Sequence, residues 1–205
     1  SLDIQVKHGL SAKPAVMITK NNEEAGGNHW AVYHHKNTSA PETDYLKLSD
    51  TTATTDDADI WNDTEPTTTV FTGGDHSGSN RASDDFVGYF WNEVQGFSKF
   101  GSYIGNGNVN GTFVYTGFRP AMVILKRSSS TSNWYIADNK RNTFNLVSKA
   151  LFPNDSAAEG DLASNTPIDF LSNGFKLRNS NMTGDTNINL SGSTYIYMAF
   201  AEAPL

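Results

Sequence analysis

The chain repeats itself, and this limits its fold more than any other feature. Lys13-Pro14-Ala15-Val16-Met17-Ile18-Thr19-Lys20 returns 106 residues later as Arg119-Pro120-Ala121-Met122-Val123-Ile124-Leu125-Lys126. Each segment runs base, proline, apolar stretch, lysine. A polar loop follows each, then an aromatic stretch: Asn28-His29-Trp30-Ala31-Val32-Tyr33 and Ser132-Asn133-Trp134-Tyr135-Ile136. Upstream, Val6-Lys7-His8-Gly9-Leu10 matches Val114-Tyr115-Thr116-Gly117-Phe118. The copies also end alike, residues 86–94 against residues 195–203, here 109 residues apart. Blocks in the same order, with loops of changed length between them, predict two copies of one fold, residues 1–98 and 99–205. Two copies fall short of a solenoid, which needs at least three repeats. The second copy opens with Gly101-Ser102-Tyr103-Ile104-Gly105-Asn106-Gly107, for which the first has no counterpart. The expectation is that residue 1 is not a natural start and that copy one lacks an opening strand.

The repeated blocks read as β-strands. Val16-Met17-Ile18 and Met122-Val123-Ile124-Leu125 are apolar runs of buried-strand length. Residues 30–33, 86–91, 134–137 and 195–200 are rich in aromatic and β-branched side chains, which fit a pleated surface. Tyr45-Leu46-Lys47-Leu48 and Phe175-Lys176-Leu177 alternate. Gly26-Gly27-Asn28, Gly73-Gly74-Asp75, Gly105-Asn106-Gly107 and Ser172-Asn173-Gly174 mark turns. Helical spacing is confined to residues 145–152 and one turn over 156–162. The expected fold is all-β, with two homologous antiparallel sandwich-like repeats of jelly-roll or lectin-like kind.

Composition narrows the function. The formal net charge of −7 opposes nucleic acid, whose phosphates need a basic field, and an anionic membrane surface. No apolar run is long enough to span a bilayer. The opening Ser1-Leu2-Asp3-Ile4 has no signal-peptide pattern. The chain has no cysteine, which removes disulfides, thiolate metal sites and cysteine nucleophiles together.

No nucleophile elbow, phosphate loop, zincin motif or dinucleotide fingerprint is present, and the expectation is a non-enzyme. Trp30 and Trp134 hold equivalent strand positions, and the closing strands carry Tyr89, Phe90, Tyr197 and Phe200. Shared aromatics predict core, so Trp30, Trp134, Tyr89, Tyr197, Phe90 and Phe200 are assigned there. Glu93 and Glu202 recur at the closing strand's end and are expected to pair with a base such as Lys20 or Lys126, not to act as a glycosidase couple. Asp56-Asp57-Ala58-Asp59, with Asn62 and Asp63, offers oxygen ligands for a structural calcium, but at a spacing unlike the EF-hand. Copy one carries two long polar loops, residues 51–69 and 73–84, absent from the repeated framework. Loops that differ on a repeated scaffold are where a binding site is expected. The expected ligand contacts are Asp75, His76, Arg81, His34 and Trp61.

Taken together, several segments are similar to a known family. They are Gly9-Leu10 with Lys13-Pro14-Ala15, Phe97-Ser98-Lys99-Phe100-Gly101-Ser102-Tyr103, Thr116-Gly117-Phe118-Arg119-Pro120-Ala121, Asn133-Trp134-Tyr135, Phe170-Leu171-Ser172-Asn173-Gly174-Phe175-Lys176-Leu177, and the ending over residues 195–204. The chain resembles the duplicated C-terminal modules of virion structural proteins from tailed bacteriophages, especially those of marine bacteria and cyanobacteria. The resemblance implies an extracellular place on the virion surface, in a tail fibre or similar part. It also implies other virion proteins and a host surface glycan or protein as partners, and a homo-oligomer, a trimer by analogy. It carries over no catalytic residue. The alternative expectation is an architectural capsid-decoration or fibre-shaft domain without a ligand.

Overall fold

The structure, a computed structural model, describes residues 3–23, 29–161, 167–179 and 187–203. The chain divides into two compact units, Ser1–Glu93 and Val94–Leu205. The division falls a few residues before the expected 98/99 boundary. The reason is local: Val94 N–H donates to Ser98 O at 3.3 Å, and Ala201 N–H donates to Phe97 O at 2.8 Å. The turn over 94–98 is thereby tied to the closing strand of the second unit.

Unit 1 holds β1 (Ile4–Lys7), β2 (Val16–Asn21), β3 (Ala31–His34), β4 (Asp44–Lys47), β5 (Thr55–Asp56), β6 (Val70–Gly73) and β7 (Phe86–Trp91). Five of these form an antiparallel sheet in the order β5-β4-β3-β2-β7, and β1 pairs with β6. Side chains alternate across a strand. Met17, Ala31, Tyr33 and Tyr45 therefore share one face of the large sheet, where they cluster with Phe71 of β6 and with Ile60 and Trp61. Val6 and Phe90 pack against this cluster, partly buried.

Unit 2 holds β8 (Ser98–Ile104), β9 (Phe113–Tyr115), β10 (Pro120–Arg127), β11 (Trp134–Asp138), β12 (Lys149–Ala150), β13 (Gly160–Asp161), β14 (Ile168–Leu171), β15 (Gly174–Leu177) and β16 (Thr194–Ala201). A four-stranded sheet, β11-β10-β16-β8, and a three-stranded sheet, β14-β15-β9, are both antiparallel. Val123, Leu125, Tyr135, Tyr195 and Tyr197 from the first meet Val114, Phe170, Phe175 and Leu177 from the second in one core. The chain is thus nearly all β, built of packed antiparallel sheets.

The strands carrying the repeated blocks also share order and register. β2 lies between β3 and β7, as β10 lies between β11 and β16. Met17 faces Tyr33 and Phe90, and Val123 faces Ala137 and Ala199. Val6 faces Phe71, and Val114 faces Phe175.

Two sequence expectations change. Residues 145–152 are not helical. Asn145 Nδ2 donates to Phe170 O at 3.0 Å, and its Oδ1 accepts Phe170 N–H at 2.9 Å. Asn142 Oδ1 accepts the amides of Ser148 and Lys149. These side-chain bonds give the backbone an alternative to a helical ladder, and the segment runs extended through bridges Val147–Ile168 and Ile136–Leu151. The expected turn of helix near 156–162 instead contains β13, with residue 162 outside the described residues, as are Gly26-Gly27-Asn28.

Candidate functional site

The loops expected to bind ligand are partly structural. Within residues 51–69, Ile60 and Trp61 turn inward and are fully buried. Trp61 Nε1–H donates to Asp44 O at 3.1 Å, and its ring meets Tyr33 edge-on at 6.1 Å. Burying an indole requires a partner for its N–H, and Asp44 supplies one. Trp61 thus has no surface to offer a ligand, contrary to the sequence expectation. His34 is likewise buried, with Nδ1 accepting the Lys36 amide at 3.1 Å. Gly74 shows why the two loops pack closely: a Cβ there would lie 2.2 Å from Asp59 O.

Asp75 and Arg81 remain exposed, and Arg81 Nε stands 3.9 Å from Asp84. His76 is half-buried beneath Tyr45, with ring centroids 5.4 Å apart. Its Nδ1 accepts the Gly78 amide at 2.9 Å, and Nε2 lies 3.6 Å from Asp57 Oδ2. Burial lowers its pKa below the usual 6.5, and the opposing pull of Asp57 and Asp59 does not restore it. An Nδ1 that accepts a hydrogen bond is also unprotonated, which favours the neutral ring. Below about 6.5 the unfolded chain then binds more protons at this ring than the folded one. The stability involved is full above that pH and is lost as pH falls through it toward the lowered value. Urea unfolding at pH 7.5 and 5.5 is expected to show a smaller loss on acidification for His76→Gln than for the parent chain. Equal losses would remove His76 as the cause.

Among the described residues, no group of three or more His, Asp or Glu side chains is placed to hold a metal ion. The Asp57 carboxylate, expected in a calcium loop, accepts the Asp59 amide and faces His76. Glu202 pairs with Arg119 at 2.7 Å and accepts from Asn139, while Glu93 stands 4.0 Å from His35. Glu202 thus pairs with a base, as expected of it, and that base is Arg119. Lys126 is buried, with Nζ donating to Ser132 O and lying 6.0 Å from the Trp134 ring centre.

The arrangement best suited to a ligand lies elsewhere in unit 1. Tyr89 and Trp91, two apart on β7, share a face. Their rings are 6.2 Å apart and 18° from parallel, and Trp30 continues the row at 6.3 Å and 22° from Tyr89. Tyr89 is 45% exposed, and both tryptophans are partly exposed. The expected core placement holds for Trp134 and Tyr197, both buried, but not for Trp30 and Tyr89. Alternation puts Tyr89 and Trp91 on the face opposite Phe86, Gly88 and Phe90, a face that also carries the buried Val16 and Ile18, so periodicity alone did not mark their exposure. The residue before Trp30 makes polar contacts of its own. His29 Nδ1 lies 3.3 Å from Ser49 Oγ and 3.5 Å from Asp50. Burial, then Lys47, lower the His29 pKa against the pull of Asp50. The ring is thus neutral at pH 7, with one donor and one acceptor nitrogen.

A row of near-parallel, accessible rings can stack flat ligand faces. No curated protein and no solved structure matches the chain. Residues 1–204 match the family described as a domain of unknown function, DUF7483, and the chain belongs to that family.

Proposed function

We propose that this chain is a duplicated, non-enzymatic module of a phage virion surface, of the tail-fibre kind, that binds host glycan through the Trp30-Tyr89-Trp91 row. The row carries the reading. Apolar faces of sugar rings stack on aromatic side chains. Nucleobases also stack on such rings. The net charge of −7 works against a polyphosphate ligand, so the uncharged faces of sugars fit better. Single sites of this shallow kind are weak, and oligomerisation would raise their avidity.

The test is binding of the labelled protein to candidate host cells before and after their surface polysaccharide is removed. Saturable binding that disappears with the polysaccharide is expected. Tyr89→Ala and Trp91→Ala should each weaken it by about tenfold, the loss of roughly one good aromatic contact, with unfolding curves little changed. Undiminished binding by both variants would overturn the assignment.

A second reading, particle architecture, is favoured by exposed apolar side chains in unit 2. Phe144, Tyr115 and Ile104 are each more than half exposed, and surfaces of this kind are often covered in an assembly. A chain that sediments as a monomer at high concentration would speak against it.

A further inference from the structure

The edge of β7 in unit 1 corresponds to an edge that is occupied in unit 2. In the second unit β8 runs antiparallel along β16, with Tyr103 opposite Tyr195 and Gly101 opposite Tyr197. By the shared registers, β7 takes the place of β16, with Phe86 at the position of Tyr195 and Gly88 at that of Tyr197. No strand lies on the outer side of β7 among the described residues. Its inner side is fixed by the bonds Ala15 N–H to Trp91 O and Asn22 N–H to Asp85 O. Backbone groups alternate in direction along an antiparallel strand. Phe86, Gly88 and Phe90 therefore turn their N–H and C=O outward, away from β2.

The same place lacks a side chain. In unit 2 the Tyr103 ring of β8 stacks on Tyr195 at 5.0 Å and 6°, meets Phe175 at 6.3 Å, and donates through its hydroxyl to Ile188 O at 2.8 Å. In unit 1 the counterparts of Tyr195 and Phe175 are Phe86 and Phe71. Between them lies a cavity of about 260 Å³ lined by Val6, Phe71, Phe86 and Phe90 on its apolar side and by Asn80, Asp84 and Asp85 on its polar side. That is below the ~300–1,000 Å³ of small-molecule sites and suits one large side chain. Gly88 and Phe90 stand where unit 2 has Tyr197 and Ala199, so bulk is exchanged between neighbouring positions. What remains missing is the ring that Tyr103 contributes.

We infer that unit 1 accepts an added antiparallel strand on β7, the β8-type strand of a further copy of this repeat, whose tyrosine enters the cavity against Phe86. Main-chain bonds to an open edge give affinity, and the side-chain pocket gives selectivity. The phenylalanine at the Phe100 position of such a strand would fall beside Tyr89 and extend the aromatic row sideways. The inference does not rest on glycan binding.

Joining the sequence of residues 97–108 ahead of Ser1 places a β8-type strand at the same spacing from β1 as β8 has from β9. Tethering raises its effective concentration, so weak intermolecular affinity cannot hide the pairing. Amide exchange at Phe86, Gly88 and Phe90 is expected to slow by about tenfold or more relative to the untethered chain. Tyr103→Ala in the added strand should abolish most of that protection, and Tyr103→Phe should keep it. Unchanged exchange in the tethered chain would overturn the inference. So would protection indifferent to Tyr103→Ala. An untethered chain already protected at these amides, and dimeric by sedimentation, would assign the edge to β7–β7 pairing and overturn it as well.

Discussion

Trp61→Ala is expected to destabilise unit 1 by about 3–5 kcal/mol, the range for emptying a fully buried aromatic site. The residue sits in a polar loop, yet its whole side chain is enclosed with Tyr33, Tyr45, Ile60 and Phe71. Truncation removes the edge-on contact with Tyr33 and leaves the Asp44 carbonyl without its indole donor. The surrounding strands are held by β2–β3 and β3–β4 pairing and cannot collapse into the space. Trp61→Phe separates the terms. It keeps most of the volume and loses the hydrogen bond, so a loss of about 1 kcal/mol is expected. Urea unfolding followed through exchange of the Tyr33 and Tyr45 amides reads both. A loss under about 1 kcal/mol for the alanine variant would mean that the loop is not part of the core.

Asn189→Leu is the second large effect, at about 3 kcal/mol or more in unit 2. Asn189 is fully buried. Its Nδ2 lies 3.0 Å from Asn106 Oδ1, 3.0 Å from Asn108 O and 2.9 Å from Asn179 O. Its Oδ1 accepts the Asn106 amide at 3.0 Å. One side chain therefore satisfies backbone groups from two segments of irregular structure, residues 106–108 and Asn179. Leucine has similar volume and no polar atoms, so the cost is the desolvation of groups left unpaired rather than a cavity. Asn189→Asp should also destabilise, since a carboxylate cannot donate to Asn108 O or Asn179 O. Thermal unfolding of both variants against the parent chain checks this. A neutral leucine variant would show that water replaces the lost bonds.

Strands were legible because their signal is local. Val16-Met17-Ile18 and residues 120–127 are apolar runs bounded by turns, and alternation in residues 174–177 fixed faces as well as existence. What failed were features set by tertiary contact. The composition of residues 51–69 is polar on average and reads as solvated loop. The pair Ile60-Trp61 inside it was the available sign of an inward plug. The helical spacing over 145–152 gave way to asparagine side chains that bond distant backbone, an outcome no periodicity reports. The candidate site was missed through an otherwise sound rule. Aromatics matched between two similar sequence segments suggest core, and Trp134 obeys, buried beside Lys126. Trp30 does not, because it stands in a row with Tyr89 and Trp91 at partly open surface. Gly88, at the position of Tyr197, marks where the two closing strands part in character.

The four tryptophans make the central claim directly measurable. Their indole N–H groups give separate signals in a nitrogen-correlated NMR spectrum, assignable by single Trp→Phe variants. Titration with host surface polysaccharide is predicted to move the Trp30 and Trp91 signals and leave those of Trp61 and Trp134, both enclosed, in place. A saturating titration in which Trp30 and Trp91 stay where they were would contradict glycan recognition by the aromatic row.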